Sequence, residues 1–203
     1  MSTHEIGTPH GPARVALHCV PQGHAALLLG HGAGGGVTAP DLVVATQAAQ
    51  RAGVHVALVE QPYRVAGRRA PAPARQLDAA WLAVARELGD GVFGDVPLVF
   101  GGRSSGARVA CRTAEAGAAA AVLCLAFPVH PPAKPHQDRT PELLAVDVPV
   151  LVVQGARDPF GCPEPAPHRD VLVQPGDHSL KGDLAGLGRA IAEWLERVLR
   201  PIT

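Results

Sequence analysis

The chain has 203 residues, of which 23 are glycine, 20 are proline, 47% are hydrophobic and only 3% are aromatic. That length suits a single domain spanning residues 1–203 that buries about 70% of its unfolded surface, and the apolar share excludes long-range disorder. With 18 basic and 18 acidic residues the formal charge is zero, and Lys134 and Lys181 are the two lysines. The basic, aromatic-interleaved stripe of a nucleic-acid binder is missing.

At the N-terminus, Met-Ser-Thr-His-Glu lacks the basic start and apolar stretch of an export signal. The longest apolar run, near Ala118 to Phe127, is about half a bilayer span, so no membrane association and a cytoplasmic location are expected. Strands are predicted over Ala13–Cys19, Ala25–Leu29, Val54–Val59, Val96–Phe100, Ala121–Ala126, Val148–Gln154 and Arg169–Val173. Helices are predicted over Asp41–Ala52, Leu77–Leu88, Ser105–Glu115, Glu142–Ala145 and Gly182–Leu199, with Trp194 on the core face of the last. Two Pro-rich stretches, Tyr63–Pro73 and Pro128–Pro141, are expected to be irregular loops leaving strand ends. The alternation implies a mostly parallel α/β sheet of about seven strands with helices on both faces. Ligands bind such sheets at the carboxyl ends of the strands.

Cys19, Cys111, Cys124 and Cys162 form no CxxC pair, and the ten histidines show no zinc-ligand spacing. Free thiols are expected, with no metal and no cofactor.

Gly30-His31-Gly32-Ala33-Gly34-Gly35 follows a predicted strand and satisfies GxGxxG, with Glu60 where a ribose-binding acid would stand. A dinucleotide fingerprint, however, opens directly into a helix after the first strand of its fold. Here Val37 to Pro40 intervene, and another strand precedes. The alternative use of this loop is to present a backbone N–H to an oxyanion, from Ala33 with Gly34 as its neighbour. His31 is expected to orient the loop rather than act as a base.

Gly101-Gly102-Arg103-Ser104-Ser105-Gly106 runs from a strand into a helix and contains GxSxG, the context of a nucleophile elbow. Of four serines, only Ser104 has glycine two residues away on both sides. The Ser105 N–H is the second oxyanion donor. In this arrangement the acid and then the histidine follow the serine along the chain. Asp158 lies beyond the strand ending at Gln154, and His178 beyond the one ending at Val173. Asp147 precedes its strand, and Asp177 is adjacent to His178; His130, His136 and His168 are rival bases. Tyr63, Phe127 and Phe160 fall near carboxyl strand ends, where each either lines a shallow pocket or packs in the core. Arg64, Arg68, Arg69 and Arg75, together with Arg103, read in two ways: a solvated loop with one structural arginine, which is the favoured reading, or an anion site at the pocket mouth.

With these residues in hand, the chain resembles a small α/β-hydrolase, distantly similar to dienelactone hydrolases and more closely to the family of testis-expressed protein 30 and subunit 3 of the non-specific-lethal chromatin complex. The matching stretches are Leu29–Gly34, Glu60–Tyr63, Gly101–Arg108, Phe127–Pro132, Gln154–Phe160 and Gly176–Ser179. The resemblance implies the α/β-hydrolase fold and carries a Ser104–Asp158–His178 triad; the short, Pro-rich connection from Pro128 to Asp147 can supply a rim but no folded cap domain. Methionine is commoner in that family where Ser105 stands here. The expected activity is hydrolysis of small acyl substrates. A hydrolase-fold binding or assembly subunit is the alternative, and a dinucleotide enzyme the third reading.

Overall fold

The computed structural model describes residues 2–94 and 96–200. Eight strands form one sheet: β1 (Ser2–Ile6), β2 (Ala13–His18), β3 (Ala25–Gly30), β4 (Val54–Glu60), β5 (Leu98–Arg103), β6 (Ala121–Leu125), β7 (Val150–Gly155) and β8 (Arg169–Gln174). Their order is β1-β2-β4-β3-β5-β6-β7-β8. β2 pairs antiparallel with β1 and β4, and every other pairing is parallel. The helices are α1 (Pro40–Arg51), α2 (Pro62–Val65), α3 (Ala74–Asp90), α4 (Ser105–Thr113), α5 (Thr140–Leu144) and α6 (Leu184–Val198).

Side chains alternate across each strand, and the two layers divide on that period. Ala26, Leu28, Phe100, Val122 and Val152 face α3 and α4, where Trp81 meets Phe100 edge-on at 5.5 Å. Leu27, Leu29, Leu123, Leu125 and Val153 face α1 and α6, packing on Leu42, Ala45, Leu187 and Ile191. Strands so covered have no polar face, which is why β3, β6 and β7 read as continuous apolar runs.

The structure adds β1 to the seven expected strands. Its sequence, Ser-Thr-His-Glu-Ile, is polar because four of its five residues are exposed on the sheet edge. β5 continues past Phe100 to Arg103, since Gly101 and Gly102 still pair with Leu29 and Gly30. The Tyr63–Pro73 stretch is not wholly irregular: Pro62, which needs no amide partner, opens α2, and α3 starts at Ala74 rather than Leu77. Between β6 and β7 the only helix is the five-residue α5, and among the described residues no cap domain covers the sheet.

Candidate active site

Ser104 stands between β5 and α4 with φ 52° and ψ −107°, a left-handed conformation costly for any residue with a side chain. The bend is possible because the backbones of Gly30, Gly102 and Gly106 touch. A Cβ on Gly102 would lie 2.7 Å from the Gly30 oxygen, and one on Gly106 would lie 2.4 Å from it. The Ser104 N–H donates to the Leu125 carbonyl at 2.8 Å, tying the bend to β6.

Two loops from neighbouring strands converge on the serine. His178 Nε2 lies 2.9 Å from Ser104 Oγ, and His178 Nδ1 lies 2.8 Å from Asp158 Oδ2. The Asp158 side chain is 1% exposed, so its charge is held by donors rather than water. Oδ1 accepts from the Phe160 N–H at 2.9 Å, and Oδ2 also accepts from Gln154 Nε2 at 2.8 Å. A carboxylate opposite Nδ1 makes that nitrogen the protonated one, which leaves Nε2 free to accept the Ser104 hydroxyl proton. Phe160 stacks on the imidazole at 4.1 Å between ring centroids.

The glycine loop lies beside this cluster. Tyr63 Oη donates to the Ala33 carbonyl at 3.0 Å, anchoring the loop to α2. Buried His31 accepts the Gln61 N–H on Nε2 at 3.1 Å, so its Nδ1 carries the proton donated to the Gly32 carbonyl at 2.8 Å. Among the described residues, the N–H groups of Ala33 and Ser105 have no protein acceptor. Gly34 is exposed, with open space where a Cβ would stand.

Burial pushes the His31 imidazole below its ordinary value of 6.5, and Arg64 adds to the shift, while the Gly32 hydrogen bond and Glu60 oppose it. The unfolded chain therefore takes up this proton first, and stability present above about pH 6.5 is lost as the pH falls. His18 shifts the same way through burial, so the comparison needs a variant. Lowering the pH from 7 to 5 is expected to reduce the melting temperature of His31→Gln less than that of the wild type. Equal reductions would remove His31 from the acid response.

The expected serine, acid, histidine and oxyanion-loop residues thus meet at one edge of the sheet. Where the sequence left alternatives open, the structure takes the packing or structural one for most. Phe127 does not line the site: it is fully buried and packs in the core beneath the sheet. Tyr63 is nearly buried, and its hydroxyl is engaged by the Ala33 carbonyl. Arg103 turns its guanidinium toward Asp41 and the His178 carbonyl. Arg68, Arg69 and Arg75 are exposed, and Arg64 is half-buried. Asp177 points away from His178 to cap the Ser179 N–H, and His130 Nδ1 lies 3.1 Å from the Pro131 carbonyl. Sequence reasoning missed Gln154, whose signal was a lone amide inside the apolar run of β7.

The dinucleotide reading fails on local geometry. α1 begins at Pro40, beyond the glycines, and β3 is the third strand. Among the described residues, no group of three or more His, Cys, Asp or Glu side chains is arranged to hold a metal ion. No helix there is long and apolar enough to cross a membrane.

A mostly parallel sheet with a serine in a strained strand-to-helix bend defines a protein of the α/β-hydrolase class. Residues 23–200 match the family model described as "Alpha/beta hydrolase domain", and the chain belongs to that family. No curated protein matches the chain. Several solved structures share the fold. An α/β serine hydrolase homologue from Coxiella burnetii has a TM-score of 0.77 at 17% identity, over 96% of this chain and 97% of that one. A Xanthomonas campestris α/β serine hydrolase without lid gives 0.76 at 20% identity, over 100% and 96%. Dienelactone hydrolase from Anabaena variabilis gives 0.75 at 16% identity, over 98% of each chain.

Proposed function

We propose that the protein is a serine hydrolase that transfers small acyl groups to water. The observation that carries this reading is the unbroken contact chain Ser104 Oγ–His178 Nε2 and His178 Nδ1–Asp158 Oδ2, at 2.9 and 2.8 Å. As the Ser104 oxygen bonds to the substrate carbonyl carbon, its proton passes to His178 Nε2, and Asp158 stabilises the imidazolium. The Ala33 and Ser105 N–H groups receive the developing oxyanion, each contributing about 3–4 kcal/mol to the transition state. His178 then protonates the leaving group as its bond to the acyl carbon breaks. A water attacks the acyl-enzyme by the same route and releases the acid and free Ser104.

Small substrates suit a site with no cap domain, whose half-buried ring, Phe160, is already stacked on the histidine. The Anabaena relative's name, dienelactone hydrolase, agrees with a compact acyl group. The stretches from Leu29 to Ser179 that resemble the family of testis-expressed protein 30 and subunit 3 of the non-specific-lethal complex support placing the chain near it. Location in the cytoplasm belongs to the same proposal, supported by Cys111 and Cys124, buried free thiols with sulfurs 3.5 Å apart.

The test is labelling by a fluorophosphonate, followed by hydrolysis of nitrophenyl esters of increasing chain length. Wild type is expected to label and to turn over acetate and butyrate fastest, and Ser104→Ala to do neither. Equal labelling of both forms overturns the nucleophile, and faster turnover of long-chain esters overturns the substrate class. A wild type that neither labels nor turns over leaves a binding subunit on a hydrolase fold.

A further inference from the structure

The acyl chemistry proposed above makes no use of Asp41, a fully buried carboxylate in the first turn of α1. Burial pushes its carboxyl up from the ordinary value, and the charge of Arg103 pulls it back. A carboxylate removed from water requires a cation or a set of donors, and both are present. The Leu42 N–H donates to Oδ1 at 3.0 Å, and Arg103 Nε lies 2.8 Å from Oδ2. Arg103 and Asp41 thus form an ion pair whose carboxylate is buried.

Arg103 immediately precedes Ser104, and its guanidinium serves a second element. Nη2 donates to the main-chain carbonyl of His178 at 3.0 Å. The third nitrogen, Nη1, lies over Gly32: a Cβ there would stand 3.0 Å from Nη1 and 3.7 Å from Ser104 Cβ. One planar fork thus touches the start of α1, the glycine loop and the turn that carries His178, and it is rooted in the residue before the serine. Other bonds of the His178 turn are internal or run to β8 and the Asp158 loop: Leu180 N–H to Asp177 O, Gln174 Nε2 to Leu180 O, and Arg157 N–H to Gly176 O. None of these refers the histidine to the serine.

We propose that Arg103, charge-balanced by Asp41, is a positioning residue that sets the main chain of His178 relative to Ser104. The imidazole reaches Ser104 from a turn in another strand's connection, 74 residues along the chain. Its side-chain torsions can aim Nε2 only if the backbone is placed first. The guanidinium supplies that reference because it is always charged, planar and short of freedom once two of its nitrogens are engaged. Misplacing a reacting group by about 1 Å costs on the order of 100-fold in rate. The same geometry assigns the arginine away from substrate binding, since its donors are directed to Asp41 and His178.

The inference rests on the acyl-transfer reading, and the experiment separates the two. Wild type, Arg103→Ala, Arg103→Lys, Asp41→Asn and the Arg103→Ala/Asp41→Asn double variant are assayed on nitrophenyl acetate and on the anionic nitrophenyl hemisuccinate. The double variant and Asp41→Asn cover the case in which Arg103→Ala, with its unpaired buried carboxylate, fails to fold. Rates are normalised to soluble protein with native circular dichroism. In Arg103→Ala and the double variant, kcat is expected to fall by about 10–100-fold on both esters, with KM within about twofold of wild type. Arg103→Lys is expected to recover part of the loss, because one ammonium replaces a fork with two engaged nitrogens. Asp41→Asn is expected to lose less, and the double variant no more than Arg103→Ala, because both residues act through one path. An unchanged kcat with a lower melting temperature would make the pair merely structural and overturn the proposal. A rise in KM confined to the anionic ester would make Arg103 a substrate ligand and overturn it equally. A wild type without labelling or turnover overturns the acyl-transfer reading and this one with it. A labelled, active wild type whose variants keep its kcat overturns this one alone.

Discussion

Gly106→Ala is expected to destabilise the protein by about 3 kcal/mol or more, although Gly106 lies in the first turn of α4, where helix propensity favours alanine by about 1 kcal/mol. The new methyl carbon would stand 2.4 Å from the Gly30 oxygen, 2.6 Å from its carbonyl carbon and 2.9 Å from the His31 oxygen. These are main-chain atoms of Gly30, held in β3 by parallel pairing to β4 and β5, and of His31 directly after it, so no side chain can swing aside. Relief requires α4 to move outward, and that movement carries the Ser104 bend and the Ser105 N–H with it. Gly34→Ala, with open space at the same test position, is expected to stay within about 0.5 kcal/mol of wild type. Urea midpoints at constant m-value measure both. A Gly106→Ala protein as stable as wild type would show that β3 and α4 do not approach this closely.

This contact also explains why the elbow was readable from residue order. GxSxG is a steric requirement between residues close in sequence, and the strand before it and helix after it are marked by local hydrophobic period. Asp158 and His178 were readable for a related reason. Each follows a buried apolar strand, and parallel pairing brings those strand ends to one edge. Contacts that depend on where distant side chains finally turn left no such mark. Asp41 has a sufficient local explanation as an acid in a helix's first turn, so nothing in the sequence points from it to Arg103. Phe127 and Phe160 are alike in sequence, both just beyond strands. Phe127 follows a bend at Ala126 (φ 52°) and packs into the core, whereas Phe160 follows the Asp158 turn and reaches the imidazole. β1 escaped because an exposed edge strand needs no apolar alternation, and its partner β2 supplies the inward face.

Asp158→Asn is expected to lower kcat by about 10⁴-fold while leaving the fold intact, a loss larger than removal of one charge-assisted hydrogen bond. All three groups around this carboxylate are donors: the Phe160 N–H at Oδ1, and Gln154 Nε2 and His178 Nδ1 at Oδ2. Only a side chain that accepts on both oxygens satisfies them, and an amide must turn its NH₂ toward one. When the NH₂ takes the place of Oδ2, the imidazole answers by making Nδ1 an acceptor. Its proton then sits on Nε2, facing Ser104, and the hydroxyl has no base. Gln154 resists that inversion because its own NH₂ is turned toward Asp158 by the Gly161 carbonyl at 2.7 Å and the Phe127 carbonyl at 3.2 Å. Gln154→Leu removes the resistance. It is therefore expected to cost more activity in the Asp158→Asn background than the roughly tenfold it costs in wild type, where it removes one supporting donor. An equal or smaller cost in that background would show that Gln154 does not govern which way the amide faces, and that the proton on the imidazole is set by Asp158 and Phe160 alone.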